Sequence, residues 1–203
     1  MAAREKFSLL LILLGLILAI LPLRATRTLN GDPGKLLAGS IDPGFSYTPD
    51  QVARFISDED PDVRLIDLRS PEEFMKSSLP GSVNIPYREL LSKDPSSYLG
   101  SGKYRNIFYS NGDLVSGYAA ILAAGLGYKN VYTVKGGLNG WIKAVSDTIF
   151  TGEKISAREN ALFGARMKAG RLFRELNALP DSLKLKYLNS RKFNPKKLDG
   201  GCE

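Results

Sequence analysis

Chemistry in this chain has to be built without imidazole. The 203 residues contain no histidine and a single cysteine, Cys202, so an intramolecular disulfide is excluded and no His/Cys set exists for zinc or another transition metal. A serine nucleophile of the usual kind is excluded too, because no imidazole can take its proton. Two places remain where residue type and spacing matter. One is the run Ser110, Asn111, Gly112, Asp113, Leu114, Val115 and Ser116, which follows an apolar strand sequence, Ile107-Phe108-Tyr109. The other is the thiol of Cys202, carried on a flexible arm after Gly200-Gly201.

The elements that must position the loop can be read around it. After the loop comes an Ala/Leu-rich helix (Ala119, Ala120, Leu122, Ala123, Leu126), ended by Gly125 and Gly127. A second strand, Val131 to Val134, leads into a Gly136-Gly137 turn and a short helix bearing the single Trp141. This is a βαβ unit, so its strands are parallel with a right-handed crossover. Ligands of open parallel sheets bind beyond the carboxyl ends of strands, where the Ser110 to Ser116 loop falls. Trp141 is read as filling the core beneath the turn, with substrate stacking as the alternative.

Upstream, Thr48-Pro49-Asp50 starts a helix whose apolar face is Val52, Phe55 and Ile56, ended by Asp60-Pro61. Val63 to Leu68 is a strand apolar enough to be covered on both faces. Ser70-Pro71-Glu72-Glu73 repeats the cap, proline and acidic-turn pattern and turns Phe74 inward. Asn84, Ile85 and Pro86 end a very short strand. Tyr87 to Gly102 is a connector with weak helical pattern.

Three blocks in this span, DLRSPEEF (Asp67 to Phe74), LPGSVNIPY (Leu79 to Tyr87) and VYTVKGGLNGW (Val131 to Trp141), resemble the rhodanese-like sulfurtransferase family. The resemblance covers Tyr47 to Trp141 and implies an α/β fold, an open parallel sheet flanked by helices. Active members carry Cys-x-x-Gly-x-Arg-Ser directly after the fourth strand. This chain has Ser110 in place of the Cys, Asp113 in place of the Gly and Val115 in place of the Arg; only Ser116 matches. The resemblance also implies that Asp67 and Arg69 brace the loop; the alternative is a structural ion pair closing a strand end. Ser77-Ser78 stands where the family usually has Gly-His.

Residues Phe7 to Leu23 form an apolar run of about 17 residues flanked by Arg4, Lys6, Arg24 and Arg27. That exceeds the roughly 7 to 15 residues of a signal-peptide core and reaches the lower limit of a spanning helix. The expectation is a single-pass membrane anchor with the domain outside the cytoplasm; the alternative is a cleaved leader and a secreted protein. The chain divides into an anchor or signal segment (1–25), a Gly/Pro linker with DPG twice (26–45), a rhodanese-like domain (46–145) and a basic helical extension with a flexible tail (146–203). In the extension, Ser156-Ala157-Arg158-Glu159 is a capping box opening a helix to about Leu179, stopped by Pro180. Leu162, Ala165, Ala169, Leu172, Phe173 and Leu176 form its apolar face, while Arg158, Arg166, Lys168, Arg171 and Arg174 populate the rest. A second short helix runs from Asp181 to Leu188.

Much of the net charge of +7 lies beyond Trp141. Nucleic-acid binding lacks a recognised motif, and an anionic lipid surface or a protein partner is the better use of that charge. No cofactor and no metal are expected. The functional expectation is a membrane-tethered binding or scaffold module without the nucleophilic cysteine, not an active sulfurtransferase. The alternative is a sulfur-transfer or sulfur-carrier protein using Cys202, whose thiol could also link two chains by a disulfide.

Overall fold

The structure, a computed structural model, describes residues 3–20, 45–92, 99, 102–146 and 156–190. In chain order these are α1 (Ala3–Ile20), β1 (Ser46–Tyr47), α2 (Pro49–Asp58), β2 (Val63–Asp67), α3 (Pro71–Lys76), β3 (Val83–Asn84) and α4 (Tyr87–Ser92). Then follow β4 (Arg105–Tyr109), α5 (Asp113–Gly125), β5 (Val131–Val134) and α6 (Gly137–Trp141), which widens into a π turn over Ile142–Ser146. Two helices complete the described chain, α7 (Ala157–Asn177) and α8 (Asp181–Ser190). The linker up to residue 44, the tail from residue 191 and Cys202 lie outside the described residues.

The five strands form one parallel sheet in the order β1-β5-β4-β2-β3, with Leu65 opposite Ile107 and Phe108 opposite Thr133. Period-2 alternation sorts the strand side chains onto two covered faces. Leu65, Ile107, Tyr109 and Val134 meet Val52 and Ile56 of α2, Trp141, and Ala169 and Phe173 of α7. Ile66, Phe108 and Val131 meet Ala119, Ala120 and Ala123 of α5, whose small side chains let that helix lie close to the sheet. The two-residue strand β1 is too short to show a period, which is why the sequence pattern misses it.

Three hydroxyl caps start three helices as expected: Thr48 with Gln51, Ser70 with Glu73 and Ser156 with Glu159 each form a reciprocal capping box. Helix α7 stops at Asn177, two residues short of Leu179, because Pro180 disfavours the helical region for Leu179 and the Asn177 amide turns to the backbone of Ser78. Helix α8 runs two residues past Leu188.

The extension joins the core. Trp141 is fully buried with its ring centroid 5.2 Å from that of Phe173, so the tryptophan has no free face for a substrate. Arg166, expected on the open surface, makes a two-pronged ion pair with Asp50 of α2 at 2.6 and 2.9 Å.

Among the described residues no helix is long and apolar enough to cross a membrane. Helix α1 has 18 residues, and its first turn carries Arg4, Glu5 and Lys6. The last three residues of the Phe7 to Leu23 run lie outside the described residues.

Candidate functional site

Beyond the carboxyl end of β4, Ser110 turns the chain away from the sheet and is itself buried. Its carbonyl accepts the Leu138 N–H at 2.8 Å, and that of Asn111 accepts the Asn139 N–H at 3.2 Å. This close approach requires glycine opposite. A Cβ on Gly137, whose φ is +59°, would fall 2.6 Å from the Ser110 carbonyl oxygen and 2.7 Å from Gly112 Cα.

The loop is shorter than the sequence suggests. Gly112 is the N-cap and α5 begins at Asp113, so Leu114, Val115 and Ser116 are helical. An acidic residue suits the first turn of a helix, and a bond from the N–H of Gly136 to Asp113 Oδ1 at 2.6 Å fixes this one. Val115 packs against the cluster around Phe108 and Ala119. Ser116 is buried, and its hydroxyl donates back to the carbonyls of Gly112 and Asp113 at 3.3 and 3.1 Å. Neither residue faces the loop as a ligand group.

Asp67 and Arg69 lie under the loop, both buried. Arg69 Nε donates to both carboxylate oxygens of Asp67 at 3.0 and 3.2 Å, and Nη2 donates to Oδ2 at 2.6 Å. Nη2 also donates to the Ser77 carbonyl at 2.6 Å, and Nη1 to Asn111 Oδ1 at 3.2 Å. Burial pulls the Arg69 guanidinium down, but the hydrogen bonds and charge of Asp67 outweigh it and hold Arg69 above its ordinary range. Arg69 therefore stays charged and spends its donors on structure.

The sequence does not announce the remaining struts. Asn111 Nδ2 donates to Glu73 Oε1 at 2.8 Å, and that bond, first among several, depresses the Glu73 carboxyl. The Asn84 amide donates to the carbonyls of Asp67 and Arg69. Tyr109 is fully buried; its hydroxyl accepts the Leu79 N–H at 3.2 Å and donates to Ser82 Oγ at 2.9 Å. Burial and then the Asp67 charge push this phenol far up, so it stays neutral. Single asparagines and a tyrosine carry no spacing signal, so pattern reading passes over them.

The arrangement brings Ser110, Asn111, Gly112 and Asp113 together with Asp67, Arg69 and Glu73. Among the described residues no group of three His, Cys, Asp or Glu is gathered to hold a metal ion. Cys202 lies outside the described residues.

The family model described as a rhodanese-like domain matches residues 48–144. The thiosulfate:glutathione sulfurtransferase of Saccharomyces cerevisiae is 30% identical over 114 residues, which cover 51% of this chain and 82% of that protein. This chain belongs to the rhodanese-like family. Among solved structures, a Rhodopseudomonas palustris protein described as a possible tyrosine phosphatase is 25% identical with a TM-score of 0.46, over 58% of this chain and 93% of that one. A human single-domain sulfurtransferase is 24% identical with a TM-score of 0.41, over 49% of this chain and 96% of that one. Within the rhodanese-like fold of this chain, the position after β4 holds a hydroxyl, and a carboxylate occupies the first turn of the following helix.

Proposed function

We propose that this chain is a membrane-tethered rhodanese-like domain that binds a partner through the Ser110 to Asp113 loop without transferring sulfur. The observation that carries the reading is the Asp113 carboxylate, set at the start of α5 and bonded to the Gly136 amide. Sulfur transfer needs a thiolate to hold a persulfide, which a serine oxygen cannot replace. It also needs a loop that welcomes an anionic donor. Here the helix start carries its own anion, the loop Arg position holds core-packed Val115, and Arg69 is committed to Asp67, Ser77 and Asn111.

A protein partner is favoured by exposed apolar surface on the same helix. Leu114 and Tyr118 stand one turn apart on α5 and are 67% and 53% exposed. The tether rests on α1, where Phe7, Leu10, Leu11, Ile12, Leu13, Leu14 and Leu16 are all exposed to solvent. With the run continuing in sequence to Leu23, this surface suits the apolar interior of a bilayer, with the domain outside the cytoplasm.

The test is a thiosulfate-to-cyanide sulfur transfer assay on the full chain, alongside Ser110→Ala and Cys202→Ser. No turnover in any of the three is expected. Turnover kept by Ser110→Ala and lost by Cys202→Ser would replace this reading with a sulfur carrier working through the tail thiol. Alkaline carbonate extraction of membranes tests the tether, and release of the intact chain would refute it.

A further inference from the structure

Lys184 is 1% exposed on α8, although nothing in its sequence setting sets it apart from the solvated lysines around it. Its Nζ donates to the Met75 carbonyl at 2.6 Å and to Asn177 Oδ1 at 2.7 Å. The Met75 carbonyl lies in the last turn of α3, where carbonyls lack an intrahelical partner. Asn177 in turn behaves toward Ser78 as a neighbouring strand would. Its Oδ1 accepts the Ser78 N–H at 2.9 Å, and its Nδ2 donates to the Ser78 carbonyl at 3.1 Å and to that of Phe173 at 2.8 Å. Two helices of the extension thus grip the segment Met75 to Ser78.

The same segment supports the loop from its other side. The carbonyl of Ser77, between the gripped residues, accepts Arg69 Nη2, and Arg69 Nη1 reaches Asn111 Oδ1. From Lys184 to Asn111 the path runs through hydrogen bonds and one short backbone segment. Lys184, Ser78 and Arg69 are all buried, so water is a poor substitute partner along it. Burying an ammonium costs free energy that a methionine of similar length would avoid. What the ammonium supplies is its grip on two oxygens.

We propose that Asn177 and Lys184 are positioning residues for the Ser110 to Asp113 loop. The C-terminal helices hold Met75 to Ser78 in place, Ser77 holds the Arg69 fork, and the fork fixes Asn111. This goes beyond the binding reading, because it concerns the geometry of the loop whatever the loop engages.

Hydrogen exchange on the full-length protein tests it, read at the Leu138 and Asn139 amides, whose hydrogens bond the carbonyls of Ser110 and Asn111. The side-chain amide resonance of Asn111 is followed in parallel. Lys184→Met is compared with Leu188→Ala, which loosens the same helix at a buried apolar residue. Lys184→Met is expected to speed exchange at Leu138 and Asn139 by about tenfold and to shift the Asn111 resonance, while Leu188→Ala leaves exchange there within about twofold. Exchange unchanged by Lys184→Met, or changed equally by both variants, overturns the proposal. If Lys184→Met does not fold, Asn177→Asp, which keeps the acceptor but loses the donor to Ser78, is read against the same two outcomes.

Discussion

Asp113 Oδ1 accepts the backbone N–H of Gly136 at 2.6 Å, tying the first turn of α5 to the glycine turn that opens α6. The loop between β4 and α5 is therefore held from two sides. The glycine turn takes its carbonyls and Asp113, while Arg69 and Glu73 take the side chain of Asn111. Arg69, the cation beneath the loop, is turned inward to Asp67, while Asp113 is exposed.

Restoring the thiol alone should therefore not restore chemistry. Ser110→Cys supplies a nucleophile, but the loop still presents Asp113 to an anionic donor and has no cation to lower the thiol pKa. The single variant is expected to show no measurable thiosulfate-to-cyanide turnover, and Ser110→Cys with Asp113→Gly and Val115→Arg to show some. High activity in the single variant would show that the carboxylate does not matter.

Gly137 is the most constrained position in the site. With φ at +59° and backbone atoms of Ser110 and Gly112 within 2.7 Å of any added Cβ, Gly137→Ala strains its own backbone and pushes the loop off the turn. A loss of at least about 2 kcal/mol in denaturant unfolding is expected. Gly117→Ala, where a Cβ would meet nothing within 4 Å, is the matched control and is expected to be neutral or stabilising.

The βαβ unit was legible because its apolar strands, its Ala/Leu-rich helix and its glycine punctuation all point the same way. The loop position followed from parallel-sheet geometry. Its length did not, because nothing in Ser110-Asn111-Gly112-Asp113 marks Gly112 as the point where the helix begins until Gly136 is seen to hold Asp113. The boundary between domain and extension was also misleading as a guide to packing. Phe173 and Ala169 show an apolar stripe in sequence, but nothing local says that the stripe closes over Trp141 and α2. Buried Lys184 was invisible for the same reason, since its partners Met75 and Asn177 are set by tertiary contact alone.

Removing that closure should be costly. Phe173 is buried against Trp141, and its truncation to alanine leaves a cavity over the indole. Phe173→Ala is expected to destabilise by about 3 to 5 kcal/mol in denaturant unfolding. A chain ending after Val145 loses the whole cover and is expected to show no cooperative transition. Cooperative unfolding of that fragment would show that α7 is an accessory.

The buried lysine should leave a signature at alkaline pH. Burial first, and the nearby Arg69 charge as well, lower the Lys184 pKa against the opposing pull of Asp181. Between that lowered folded value and the unfolded value of about 10.4, the unfolded chain holds more protons than the folded one. Stability contributed through this group therefore rises with pH across that window and is flat below it. Deprotonation need not break the grip, because a neutral amine keeps two hydrogens for its two acceptors, the Met75 carbonyl and Asn177 Oδ1. The parent protein should gain stability relative to Lys184→Met as pH rises toward about 10.4, with other titrating groups cancelling in the difference. Denaturant unfolding of both proteins at matched pH values measures it. A difference that stays constant or shrinks across the alkaline range would mean that the ammonium is not desolvated in the folded protein.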